Sequence, residues 1–127
     1  MQEQLIAIGK KAEARRTEIE ALGVLPNDLA QGLKATGVLR LWVAKAYGGK
    51  EADVLALVNA IQTLAYYNGS LAWVASVTGT GSLTSGYLKP AFAQEAFGQA
   101  DAMLGGFAAP VGRAKSCLLY TSPSPRD

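Results

Sequence analysis

A chain of 127 residues that is 50% hydrophobic has enough apolar material for one core, so size alone does not forbid independent folding. Its net charge of +2, from 12 basic and 10 acidic residues interspersed along the chain, is too small and too diffuse for a nucleic-acid surface. With no histidine and a single cysteine, Cys117, it cannot build a His/Cys metal site or a histidine-dependent catalytic triad.

The first residues, MQEQLIAIGKKAEARR, lack the order of a signal peptide, and no window reaches the roughly 18 to 20 consecutive apolar residues of a membrane span. A cytoplasmic protein with no membrane partner is the default reading. From Glu3 to Leu22, Leu5, Ile8, Ala12, Ile19 and Leu22 recur at helical spacing, with most charges off that stripe. This predicts one amphipathic helix stopped by Gly23. KKAEARR is read as its solvated face rather than as an anion site.

Val24-Leu25-Pro26 leads into a short second helix that Asn27 or Asp28 can cap, with Leu29, Ala30 and Leu33 inward and Gly37 at its end. Next come VLRLWV and the loop AKAYGGK. Gly48-Gly49 allows positive φ or close approach of another segment, but it lacks the glycine spacing and the Lys-Ser/Thr ending of a phosphate-binding loop.

Asp53 can cap a third helix with the stripe Val54, Leu57, Val58, Ile61, Leu64 and Ala65. The chain is organised around the end of this helix and the whole of the next, LAYYNGSLAWVASVTGTGSLTSGYL, where Asn68-Gly69 breaks the third helix and a fourth runs from Leu71 to Leu88. That fourth helix is rich in small residues. Glycine inside a helix costs about 0.5 to 1 kcal/mol against alanine, so Gly79 and Gly81 require an offsetting gain or mark a kink. The small residues suit either tight helix packing or a ligand, and Trp73 and Tyr87 suit either core or cofactor contact.

Pro90 fits the first turn of a fifth helix, PAFAQEAF, that Gly98 can end. Ala102 to Pro110, AMLGGFAAP, has no helical stripe and reads as a strand entering a β domain. Beyond Lys115 the pattern stops. CLLYTSPSPRD, from Cys117 to Asp127, is what an in-frame translation of a transposon-based sequencing adapter yields, so residues 116–127 are read as an adapter-derived tail and left out of the fold argument. The tail holds one Arg and one Asp, so the net charge is the same without it, and the cysteine carries no redox argument. A gene interrupted there would continue past about Lys115.

Taken in order, a Y-G-G loop, a capped helix ending before N-G-S-L-A-W-V, a small-residue helix ending in G-Y-L, and G-G-F-A-A-P-V-G-R-A resemble the acyl-CoA dehydrogenase superfamily from Glu3 to about Ala114. The resemblance implies a mainly α chain. Residues 1–100 would be the helical N-terminal domain, and residues 101–115 the first strand of a truncated middle β domain. The full-length protein would be a homo-oligomeric flavoenzyme, with FAD, or FMN as the alternative, between the middle and C-terminal domains.

Carried over residue by residue, Phe107, Ala108 and Ala109 are the cofactor-side candidates, mainly through backbone groups, and Trp73, Val77 and Thr80 are the substrate-pocket candidates. For each of these a plain core role is an equal account. No catalytic residue falls in this stretch. In the dehydrogenase branch the full-length enzyme oxidises a CH–CH bond of an acyl-CoA by hydride transfer to flavin and hands electrons to an electron-transfer flavoprotein. In the other branch it is a two-component monooxygenase that takes reduced flavin from a reductase and hydroxylates an aromatic or heterocyclic substrate. F-A-A-P-V-G-R-A keeps Pro110 and Gly112 of the dehydrogenases' T-E-P-x-x-G-S-D but has Ala108 and Ala109 in place of Thr and Glu, which favours the monooxygenase side. T-G-T-G stands where such hydroxylases often carry a histidine, which argues against it. A stand-alone helical interaction module is the reading from another class.

Overall fold

The computed structural model of the chain describes residues 1–106. Among the described residues six α-helices are formed: α1 Gln2–Ala14, α2 Arg16–Leu22, α3 Asn27–Ala35, α4 Val54–Tyr67, α5 Gly69–Gly81 and α6 Pro90–Phe97. Short 3-10 turns at Val38–Arg40, Lys45–Tyr47 and Ser82–Gly86 lie between them. The core is a layer of α1, α4 and α5, closed at one side by α3 and the turn Val38–Arg40.

Where the predicted first helix ran unbroken to Leu22, the structure has two helices. Arg15 leaves helical geometry at φ −114° and ψ 21°. Its guanidinium donates to both carboxylate oxygens of Glu18, at 2.7 and 2.8 Å, and to Asp28 on α3. The break lets α2 tilt so that Ile19 is buried, while Leu22, expected on the stripe, is 54% exposed. Lys10, Lys11 and Arg16 are exposed, as a solvated face requires. Gly23 stops α2 in the left-handed region at φ 64°.

Asp28 therefore does not cap α3, and neither does Asn27. Pro26 occupies the capping position and makes no side-chain cap hydrogen bond. Leu29 and Leu33 are buried as expected, and Ala30 is half-buried. At the far end the Thr36 hydroxyl donates to Leu33 O and accepts from the Val38 N–H, and Gly37 turns the chain at φ 75°.

Residues 49–52 run back alongside 40–44. Lys50, Glu51 and Ala52 donate their N–H groups to Arg40, Val43 and Leu41 carbonyls at 2.8 to 3.1 Å. This pairing explains both glycines of the loop. Gly48 takes φ 77°, and a Cβ on Gly49 would lie 1.9 Å from Val43 O.

Asp53 Oδ1 accepts from the Ala56 N–H at 2.8 Å and starts α4 as the sequence predicts. Of the predicted stripe, Leu57 and Leu64 are buried with Ala60, Ile61 is half-buried, and Val54, Val58 and Ala65 face outward. Asn68 then ends α4 and begins α5 in one residue: its backbone N–H bonds Leu64 O, and its Oδ1 accepts from Leu71 N–H at 3.0 Å. The reversal makes α4 and α5 a hairpin.

The α geometry of the predicted fourth helix stops at Gly81 and tightens to 3-10 over Ser82–Gly86. Two buried serines account for the change. Ser82 Oγ donates to Leu39 O at 3.1 Å and to Thr78 O, and Ser85 Oγ accepts from Ala44 N–H at 3.1 Å, tying this turn to the Val38–Ala44 segment. α6 spans Pro90–Phe97 with Pro90 in its first turn and Gly98 at its end, as predicted. The predicted strand starts within the described residues only as irregular chain, Ala102–Gly106, with no strand beside it; its remainder lies outside them.

Candidate functional site

The α5 helix is two-faced for a reason visible in its residues. Leu71, Ala72, Ala75, Thr78 and Gly79 are buried against α4 and the Val38–Arg40 turn. Gly79 lacks a side chain where Leu57 of α4 enters, and Gly81 where Leu104 arrives from the end of the described chain. Tight packing is thus the role of most small residues, and the close contacts offset the glycines' cost to the helix.

Trp73, Val77 and Thr80 lie on the opposite side, four and then three residues apart, so they form one stripe. Trp73 is 70% exposed, Val77 half-buried and Thr80 exposed. Within the described residues Trp73 and Thr80 are not part of the core. Tyr87, the other aromatic in doubt, is exposed as well. The Thr80 hydroxyl is satisfied inside its own helix, donating to Ser76 O at 2.7 Å, so it presents a methyl group and lone pairs outward.

Beside the start of α5 lies an open cleft of about 520 Å³, with Trp73, Val74, Gly69 and Ser70 on one wall and Ile19, Val24 and Leu25 on the other. Glu20 and Gly23 also line it. The structure therefore brings Trp73 to a cavity that Val77 and Thr80 do not line. Sequence reasoning missed the facing wall. Its signal was a linker, Val24-Leu25, that is apolar although it follows a helix stop. A smaller hollow, about 190 Å³, sits between Trp42, Ala52, Val54 and Leu83.

Phe107, Ala108 and Ala109, the cofactor-side candidates, lie outside the described residues. Among the described residues no group of three or more acidic, cysteine or histidine side chains could hold a metal, and no helix is long and apolar enough to cross a membrane. Perturbed titrations lie at the α2–α3 contact. Hydrogen bonding to Arg15 holds the Glu18 and Asp28 carboxyls below their usual range and raises the Arg15 guanidinium above its own. These three are structural groups remote from the α5 stripe in sequence, and none is a candidate acid or base.

Residues 8–89 match the family model of the acyl-CoA dehydrogenase N-terminal domain. The chain belongs to that family. The matched range runs from α1 to the residue before α6 and contains the whole α5 stripe. Among curated relatives, the acyl-CoA dehydrogenase-like chain is similar to the pigment production hydroxylase of Rhodococcus erythropolis, at 29% identity over 76% of this chain and 24% of the relative. It is also similar to the oxygenase subunit HsaA of a flavin-dependent monooxygenase from Rhodococcus jostii, at 32% identity over 61% of this chain and 20% of the relative. The indole-3-acetate monooxygenase of Pseudomonas putida is 34% identical over 54% of this chain and 18% of its own length. The chain spans a quarter or less of each of these relatives.

Proposed function

We propose that the full-length protein is the oxygenase component of a flavin-dependent monooxygenase that hydroxylates an aromatic or heterocyclic small molecule. The observation that carries this reading is that the three relatives are each named as a hydroxylase or monooxygenase, although they belong to a superfamily named for dehydrogenation. Acyl-CoA oxidation, with an electron-transfer flavoprotein as acceptor, is the second reading, supported by the family alone.

The described residues fit one part of such a site. An exposed indole, an aliphatic side chain and an internally bonded hydroxyl on one stripe suit the wall of an apolar pocket, and a flat aromatic substrate is the ligand class that such a wall takes. Holding the flavin is a separate task from lining the substrate wall. That task falls to Phe107, Ala108, Ala109 and the rest of the middle domain, of which residues 101–115 are the proposed beginning. Flavin, FAD in this reading with FMN as the alternative, supplies the oxygen chemistry when bound; Trp73, Val77 and Thr80 orient the substrate and exclude water. A reductase that delivers reduced flavin, a homo-oligomeric assembly and a cytoplasmic setting complete the proposal.

The test is a paired assay on the full-length protein. With NADH, a flavin reductase and a panel of phenols and indoles, a monooxygenase consumes oxygen and forms hydroxylated product. With acyl-CoA and an artificial electron acceptor, a dehydrogenase bleaches the acceptor instead. Acceptor reduction without hydroxylation would replace the first reading by the second, and failure to bind either flavin would sink both.

A further inference from the structure

The linker between α2 and α3 is built to stand still. Gly23 ends α2 at φ 64°, Pro26 holds the entry to α3, and Val24 and Leu25 are fixed between them. Ile19, one turn before Gly23, is 3% exposed and anchors α2 on the core, and Leu25 packs partly buried against that same core. Val24 does not: it is 65% exposed. Across the cleft of about 520 Å³ stands the first part of α5, where Val74 is packed on the core and Trp73 is exposed. Two rigid apolar walls from segments distant in sequence thus enclose one hollow.

The shape of this surface decides where a ligand on Trp73 is held. Small-molecule sites are concave and mostly apolar, with volumes of about 300 to 1,000 Å³, and the cleft meets both conditions. The stripe from Trp73 through Val77 to Thr80 runs along the outer face of a helix, which is convex, and neither Val77 nor Thr80 lines the cleft. A flat ring on Trp73 is therefore touched from one side along the stripe and from two sides in the cleft. There it removes the indole and the Val24 side chain from water together. We propose that the cleft binds the ring of a small planar aromatic ligand, stacked on Trp73 and held from the facing wall by Val24 and Leu25. That this ligand is the substrate rests on the aromatic-hydroxylase reading; that the cleft takes a ring does not.

The experiment uses the full-length protein with indole and phenol as probes, and follows binding by equilibrium dialysis separately from hydroxylation. Trp73→Leu removes the stacking surface, and Val24→Asp places a carboxylate in the apolar wall. Each should raise the indole dissociation constant about tenfold. Leu83→Ser, at an exposed apolar residue of the smaller hollow beside Trp42, should leave it within about twofold. All three positions are exposed, so melting temperatures should stay near wild type. Unchanged indole binding in either cleft variant, or an equal loss in Leu83→Ser, would overturn the site. Wild-type protein that binds neither probe would overturn it too, the outcome expected if the rest of the chain or a second copy covers the cleft. Weakened binding in both cleft variants of a protein that hydroxylates neither probe would keep the site and remove the hydroxylase reading; hydroxylation with wild-type KM in both variants would do the reverse.

Discussion

Gly79 of α5 faces Leu57 of α4 across the hairpin: a Cβ on Gly79 would sit 2.9 Å from Leu57 Cδ1, in a place where Leu57 is 1% exposed. Alanine at residue 79 gains about 0.5 to 1 kcal/mol of helix propensity and loses about 1 to 3 by overpacking. Because the contact is the tip of a side chain rather than backbone, the smaller penalty applies, and Gly79→Ala should destabilise by about 1 kcal/mol or less in urea unfolding. Leu57→Ala should cost about 3 kcal/mol, and the double variant should be more stable than the sum of the two predicts, since the deleted leucine makes room for the new methyl.

Two other glycines separate space from conformation. A Cβ on Gly49 meets the backbone oxygen of Val43, which cannot move without undoing the pairing of residues 40–44 with 49–52, whereas nothing lies within 4 Å of Gly69. Gly49→Ala should therefore cost about 3 kcal/mol or more. Gly69→Ala, at the first position of α5, should stabilise by about 0.5 kcal/mol through the unfolded chain. Equal effects in the two thermal melts would contradict this.

Asn68 carries the reversal between α4 and α5. The residue is 5% exposed and its Oδ1 holds the Leu71 N–H. Asn68→Ala should lower stability by about 1 to 2 kcal/mol, and Asp53→Ala, at the exposed cap of α4, by about 1. Chemical denaturation of both variants compares the two.

Acid should loosen the α2–α3 contact. Glu18 and Asp28 have carboxyls held below their usual values by Arg15, so the unfolded chain binds protons at a higher pH than the folded one. Their contribution is complete above the ordinary carboxylate range, about pH 4, and is lost as pH falls through the lowered folded values. Both groups are exposed, which keeps the effect small and sensitive to salt. Melting temperatures from pH 6 downward should fall less steeply in Arg15→Met than in wild type.

Trp73 offers the functional test. With its indole 70% exposed, Trp73→Ala should change stability by no more than about 0.5 kcal/mol. On the proposed reading of the full-length protein, one lost apolar contact of a pocket wall is worth about 1 to 3 kcal/mol, so substrate KM should rise about tenfold or more in steady-state assays. A stable variant with unchanged KM would remove Trp73 from the pocket.

Local chemistry determined much of this protein by itself. Asp53 and Asn68 start α4 and α5, Gly23 and Gly37 stop α2 and α3, and Pro90 opens α6, because each such signal acts within a turn of its own position. The order of the motifs Y-G-G, N-G-S-L-A-W-V, G-Y-L and G-G-F-A-A-P-V-G-R-A pointed to the family that the match over residues 8–89 shows. Tertiary structure decided the rest. Whether Leu22, Val54 or Val58 is buried depends on which neighbour covers it, and periodicity names a stripe without naming its partner. The break at Arg15 exists because Asp28, thirteen residues on, comes within reach of its guanidinium. The tightening after Gly81 exists because Leu39 O and Ala44 N–H meet Ser82 and Ser85. The same holds for the candidate site: spacing put Trp73, Val77 and Thr80 on one stripe, but only the packing of Ala72, Ala75 and Gly79 against α4 turned that stripe outward, and only the fold brought Val24 and Leu25 opposite Trp73. Contacts between residues distant in sequence carry no local signal, which is why they had to be seen.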